Sequence, residues 1–189
     1  MLKIGIIIGS TRPNRVGEGV ARWVYETASK RAEAQFELID LRDFELPLLD
    51  EPTPASGGPK VYTKEHTKRW SQKISSLDGF IFVSPEYNHG TSAALKNALD
   101  YLWYEWNNKV AGFVAYGGEG GTRAVENLRT VMCELEVACV RKQLALSLRR
   151  DFENYSIFTP DPHHESTLNS LIDQLLLWGG ALQKVRLEK

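Results

Sequence analysis

The chain opens with the stretch Leu2-Lys3-Ile4-Gly5-Ile6-Ile7-Ile8-Gly9-Ser10-Thr11-Arg12-Pro13-Asn14-Arg15. Residues 4–8 are apolar or glycine and do not alternate with polar residues, which predicts a strand buried on both faces. Apolar residues recur at helical spacing from Val16 to Ala28, so a helix is expected there. A strand, a polar loop and a helix in this order are typical of an α/β unit.

The same alternation continues along the chain. Further strands are predicted at 36–41, 79–84, 110–116 and 140–148. Further helices are predicted at 61–77, 92–106, 125–135 and 168–176. Repeated strand–helix units imply parallel strands with helices on both faces of the sheet. We therefore predict an α/β fold, a flavodoxin-like three-layer sandwich with a five-stranded parallel sheet, formed by one domain over residues 1–189.

Composition and charge limit the classes of protein to which this chain can belong. The 189 residues carry a formal net charge of -1, and no long run of Lys or Arg occurs, which argues against nucleic-acid and membrane-surface binding. Cys133 and Cys139 have no metal-ligand spacing and are predicted to be small, partly buried core residues. The apolar N-terminal stretch is too short to span a membrane and shows no signal-peptide pattern, so we expect a cytoplasmic protein without metal.

Ligands of such sheets bind at the carboxyl ends of the strands, so the first loop is a candidate anion site. Ser10 and Thr11 offer hydroxyl donors, Arg12 and Arg15 offer forked cationic donors, and the start of the next helix offers unpaired N–H groups. A phosphate group suits this set better than the alternative, a capped turn with two solvated arginines. The loop matches neither a Walker A sequence nor the G-x-G-x-x-G spacing.

Two more loops follow predicted strands. In Ser84-Pro85-Glu86-Tyr87-Asn88-His89-Gly90, Tyr87 and Asn88 could lie beside a planar ring, and His89 is interpreted as a loop or interface residue. In Tyr116-Gly117-Gly118-Glu119-Gly120-Gly121, four glycines would let the backbone approach a flat ligand closely, although such a run can also be only a turn.

Together these three motifs resemble the NADPH-dependent FMN reductase family, a flavodoxin-like group that includes quinone, azo-dye and chromate reductases. The resemblance implies that Ser10, Arg12 and Arg15 hold the FMN phosphate, with Thr11, Asn14, Val16 and Gly17 close by. It also implies that Pro85, Glu86, Tyr87 and Asn88, together with Gly117, Gly118, Glu119 and Gly120, frame the isoalloxazine ring. It identifies no acid–base side chain, so no catalytic residue is predicted.

The activity implied by the resemblance is FMN-dependent reduction of quinones, flavins or similar small electron acceptors by NADPH or NADH. Hydride would pass through flavin N5 in a ping-pong reaction. Three alternatives stay open: a flavodoxin-type electron carrier, a flavin-binding redox-sensing regulatory protein, and a different phosphate ligand in the same pocket. The nearly neutral charge and the two arginines in the first loop favour the reductase over the carrier.

Members of the family are usually dimers or tetramers, so a homodimer or homotetramer is expected. Tyr101 and Tyr104 lie off the apolar stripe of the helix predicted over 92–106, and we predict that they pack on another subunit. The proline-rich loop 46–60 either borders the site or covers another part of the surface. The sequence does not choose the electron acceptor.

Overall fold

A computed structural model describes residues 1–57 and 61–188 of the chain. Its main strands are β1 Leu2–Ile8, β2 Ala34–Asp40, β3 Gly79–Pro85, β4 Lys109–Gly117 and β5 Val137–Ser147. They form one parallel sheet in the order β2-β1-β3-β4-β5. This is the 2-1-3-4-5 order of flavodoxin-like sheets, and the predicted fold class is therefore confirmed.

Helices cover both faces of this sheet. They are α1 Gly17–Ala28, α2 Glu65–Ser75, α3 Ala93–Asp100, α4 Thr122–Glu134 and α5 His163–Leu187. Helices α1 and α5 bury their apolar residues in one hydrophobic cluster, and α2, α3 and α4 bury theirs in the other. A short hairpin, β6 Phe152–Glu153 with β7 Ile157–Phe158, follows β5. No helix within the described ranges is long and apolar enough to cross a lipid bilayer.

The helix predicted over 92–106 ends at Asp100, where two tryptophans bind carbonyl oxygens of its last turn. The Trp70 indole N–H donates to Ala98 O at 2.8 Å, and the Trp106 indole N–H donates to Leu99 O at 3.2 Å. These carbonyls belong to the last four of the helix, which have no partner inside it. The apolar pattern up to Trp106 therefore reports burial and not continued helix.

The prediction that Tyr101 packs on another subunit is wrong. This residue is fully buried within its own chain, and its hydroxyl lies within hydrogen-bond distance of two acceptors, Asp50 Oδ1 at 3.0 Å and Pro47 O at 3.1 Å. Tyr104, in contrast, is 37% exposed. Position off an apolar stripe does not imply exposure here, because the chain leaves the helix at this point.

Cys133 lies on the surface, so the prediction of partial burial is wrong for it and right for Cys139. Burial raises the pKa of the Cys139 thiol to about 11.

The helix predicted over 61–77 begins only at Glu65, because Glu51 binds the backbone just before it. The Glu51 carboxylate accepts hydrogen bonds from the N–H groups of Thr63 and Lys64, each at 3.0 Å.

Candidate functional site at the carboxyl edge of the sheet

The three loops meet because β1, β3 and β4 are neighbours in the sheet. The Ser10 and Tyr87 hydroxyls lie 3.5 Å apart, which joins the first loop to the second. The Glu86 N–H donates to Tyr116 O at 2.9 Å, which joins the second to the third. Ser92 donates to Gly9 O and accepts from Leu95 N–H at 3.1 Å, so it caps the start of α3 and ties that helix to the end of β1.

Two arginines hold the first loop by its carbonyl oxygens. Arg15 donates to Ser10 O at 2.6 Å, and Arg42 donates to Thr11 O at 3.3 Å and to Arg12 O at 2.8 Å. In a trans peptide the N–H points away from the C=O of the same unit. The Thr11 N–H therefore faces the side of the loop away from the Arg15 guanidinium, whereas the Arg12 N–H donates to the Ser10 hydroxyl at 3.4 Å.

Asp40, the last residue of β2, fixes both arginines. Its carboxylate binds the Arg15 guanidinium through both oxygens and accepts from the Arg42 N–H at 3.0 Å. Burial raises the pKa of Asp40, but the hydrogen bonds from Arg15 and the Arg42 backbone hold it below its ordinary value. Glu18 adds a second carboxylate, 3.4 Å from Arg15.

The two arginines of the first loop have different surroundings. Arg15 is 8% exposed and already paired with carboxylates, so its contact with a phosphate stays a prediction. Its Nε is buried and has no hydrogen-bond partner in the part of the chain that the structure describes. Arg12 and Thr11 are exposed, whereas the Ser10 side chain lies buried beneath them.

The first turn of α1 lies against Tyr116. The residue before the helix, Val16, provides no side-chain cap for the N–H groups of this turn. A methyl group at Gly17 would overlap the Tyr116 hydroxyl oxygen, so only glycine lets the helix start this close to β4. Asn14 has φ 53°, a left-handed conformation that asparagine adopts readily. Burial raises the pKa of Tyr116, which keeps its hydroxyl a proton donor.

The second loop is a tight turn that presents Tyr87. The N–H and C=O groups of Tyr87 and Gly90 bond reciprocally, at 3.0 Å each way. Asn88 and His89 have φ 50° and 69°, as the central residues of a type I′ turn do. Tyr87 is 41% exposed, so an aromatic face is available at this edge.

The glycines of the third loop serve different purposes. Gly120 and Gly121 have φ 75° and 71°, which favours glycine. A Cβ at Gly117 would lie 3.0 Å from Glu86 Cβ, so the two loops pack directly on each other. A Cβ at Gly118 would meet nothing within 4 Å, and this exposed position is where the backbone is open to a flat ligand.

Glu86 does not lie free beside this opening. Its side chain is 5% exposed, and it forms an ion pair with Arg123 at 2.6 Å. Its carboxylate also accepts from the backbone N–H groups of Arg123 and Ala124, at 3.0 and 3.4 Å. The sequence reasoning identified Glu86 but not its partner Arg123.

Asp40 and Arg42 were also missed. Asp40 carries a signal that could have identified it, because it is a carboxylate at the carboxyl end of a strand, on the ligand-binding edge of the sheet. Arg42 and Arg123 have no such local signal, since each acts through a contact with a distant loop.

The proline-rich loop borders the site at its start. A cavity of about 250 Å³ lies between the first loop, residues 41–46 and the start of α3, lined by Thr11, Leu41, Arg42, Glu45, Leu46 and Ala94. Further on, Asn97 of α3 accepts from Leu49 N–H at 3.0 Å and donates to Pro47 O at 2.6 Å. Residues 58–60 of this loop lie outside the described part of the chain.

These features suit FMN. The Thr11 N–H, two hydroxyls and the Arg12 guanidinium match a phosphate, and an exposed tyrosine and an open glycine backbone on neighbouring loops match a flat ring. Together with the 2-1-3-4-5 sheet they define a flavodoxin-like FMN-binding protein.

The chain belongs to the NADPH-dependent FMN reductase family, whose model matches residues 2–151. An NAD(P)H-dependent FMN reductase of Schizosaccharomyces pombe is 44% identical over 149 residues, which cover 79% of this chain and 74% of that protein. An NADPH:quinone oxidoreductase of Arabidopsis thaliana is 30% identical over 148 residues, covering 75% and 72% of the two chains.

Among solved structures, the flavoenzyme NAD(P)H:(acceptor) oxidoreductase of Paracoccus denitrificans superposes with a TM-score of 0.74. That match covers 96% of this chain and 98% of the other at 18% identity, and it supports the fold alone. Family membership makes this chain an oxidoreductase that uses FMN as cofactor and NAD(P)H as co-substrate.

Proposed function

We propose that this enzyme transfers reducing equivalents from NADPH or NADH to quinones, free flavins or similar small acceptors in a ping-pong reaction. The meeting of the three loops at one edge of the sheet is the observation that carries the proposal. Bound FMN supplies the chemistry, since its N5 accepts hydride and passes reducing equivalents onward. Relatives named FMN reductase and quinone oxidoreductase support these acceptors.

In this proposal the residues of the first loop bind the phosphate and those of the other two loops frame the ring. Arg12 and the Thr11 N–H meet the phosphate, and Arg15 also holds the loop in place through Ser10 O and Asp40. The phosphate group is held by Ser10, Thr11, Arg12, Asn14, Arg15, Val16 and Gly17. The ring is framed by Pro85, Tyr87, Asn88, Gly117, Gly118, Glu119 and Gly120, with Glu86 supporting them. No side chain is assigned a proton-transfer role.

Two experiments test the function. One equivalent of NADPH, added anaerobically to the FMN-loaded protein, should bleach the flavin band; an electron carrier would stay yellow. Steady-state rates with NADPH and a benzoquinone should give parallel double-reciprocal lines. Intersecting lines would contradict the ping-pong mechanism.

We also propose that the chain acts as a single FMN-binding domain and assembles as a homodimer or homotetramer in the cytoplasm. Exposed apolar side chains near α3 support the assembly, with Leu48 83%, Leu49 44% and Tyr104 37% exposed. The free thiols of Cys133 and Cys139 support a reducing compartment.

A further inference from the structure

One buried side chain, that of Glu86, contacts both ends of the third loop. Glu86 meets the start of the loop at Gly117, where a Cβ would lie 3.0 Å from its own Cβ. It meets the end of the loop at Arg123, through the side chain at 2.6 Å and the backbone N–H at 3.0 Å. The Glu86 side chain therefore links the second loop to both ends of the third, in addition to the backbone bond from Glu86 N–H to Tyr116 O.

Helix α4 depends on Glu86 for its N-terminal cap. The residue before the helix is Gly121, which has no side chain to accept from the first N–H groups. Those groups have no partner within a helix and usually bind a side chain close in sequence. Here the acceptor comes from a loop that is 37 residues away.

The charges at this point are balanced. Glu86 is negative and 5% exposed, and it faces the Arg123 guanidinium and the positive end of the α4 dipole. The same guanidinium lies 3.4 Å from His89 Nε2, and a histidine brings no negative charge to it. Removing only the carboxylate would leave positive charge beside the opening between the loops.

We propose that Glu86 is a positioning residue that sets the width of the ring site and cancels the positive charge of Arg123 and of the α4 N-terminus there. This inference rests on the proposed function, since it assumes that FMN lies between the two loops. It assigns Glu86 no direct contact with the reacting atoms.

The test uses FMN-loaded protein and the near-isosteric variant Glu86→Gln. We expect FMN to bind about tenfold more weakly, because a charge-assisted cap becomes a neutral one. We expect the reduced, more negative cofactor to be favoured about tenfold over the oxidised one, which raises the two-electron midpoint potential by about 30 mV. Dissociation constants from fluorescence quenching and potentials from dye equilibration measure the two effects.

Two further variants separate positioning from general damage. Glu126→Gln removes the same charge from an exposed position on α4 and should leave both quantities unchanged. Arg123→Gln should lower the potential, and the double variant Glu86→Gln with Arg123→Gln should return it to the wild-type value while binding stays weak. A helix cap with only a structural role would not move the potential.

The outcomes are distinct. If wild-type protein takes up FMN and NADPH bleaches it, but Glu86→Gln keeps the wild-type potential, the inference is wrong and the proposed function stands. If wild-type protein takes up no FMN, both fail. A potential that rises equally in Glu126→Gln would also overturn the inference.

Discussion

Replacing Gly17 with alanine tests whether contact with Tyr116 requires glycine at the start of α1. The Gly17 backbone is not in the left-handed region, so alanine can adopt it without strain. In a helix, alanine is favoured over glycine by up to about 1 kcal/mol. Without the contact, the substitution would therefore stabilise the protein.

Because of the contact with Tyr116, we expect Gly17→Ala to destabilise the protein. An alanine methyl would overlap the Tyr116 hydroxyl and lie 3.0 and 3.2 Å from two ring carbons. The ring is 5% exposed and packs against Phe152, with centroids 6.2 Å apart, so it has little space to move. Overpacking of this kind costs about 1–3 kcal/mol. We expect a net loss of about 1–2 kcal/mol in the free energy of unfolding.

The matched control is Tyr116→Phe, which removes the overlapping oxygen and leaves only the tighter contacts with two ring carbons, a strain that the helix preference for alanine offsets. In that background Gly17→Ala should be close to neutral, so the two substitutions should couple by about 1–2 kcal/mol. Urea unfolding of the cofactor-free wild type, both single variants and the double variant gives this coupling. Equal effects of Gly17→Ala in the two backgrounds would refute the reasoning.

Three other predictions concern the helix caps, the first loop and the assembly. Burial raises the pKa of Glu51, but hydrogen bonds from the backbone before α2 lower it to about 2. The stability that Glu51 contributes to the fold should therefore be complete above pH 4.5, the ordinary pKa of a glutamate, and should be lost as the pH falls toward 2. Carboxyl NMR titration of the wild type and acid unfolding of Glu51→Gln would show this. Arg12→Ala should weaken FMN binding by up to about 3 kcal/mol with unchanged stability, and Arg15→Ala should lower the melting temperature of the cofactor-free protein; equal FMN affinity for Arg12→Ala would remove the phosphate assignment. Tyr104→Lys should lower the mass seen by light scattering. The control Tyr155→Lys, at a residue that is 64% exposed between β6 and β7, should leave the mass unchanged. An unchanged mass for Tyr104→Lys would contradict its place at an interface.

The sheet was predictable because its inner strands are buried on both faces. Residues 79–85 and 109–117 are buried without interruption, and all but Ser84 and Lys109 among them are apolar or glycine, so their sequences show apolar runs that periodicity detects. The end of α3 was not predictable, since the apolar pattern continues to Trp106 after the helix stops. Its last carbonyl oxygens are capped by two indole N–H groups, one of them from a residue 28 positions away.

The place of the candidate site was predictable, and the roles of its charged residues were not. Parallel strands bring their carboxyl ends together, so three loops after three strands meet by topology alone. Whether an arginine faces outward depends on where its counter-charge lies. The side chain of Arg15 is held inward by Asp40, which lies 25 residues away at the end of β2.

The carbonyl contacts of the first loop also affect how fast the cofactor binds. Three successive carbonyl oxygens are held by Arg15 and Arg42 through contacts made within the protein itself. The entropy cost of ordering this loop is thus met during folding and does not reduce the affinity for FMN. Cofactor-free protein should take up FMN in a single kinetic phase, with a rate proportional to FMN concentration and no slow rearrangement after the encounter.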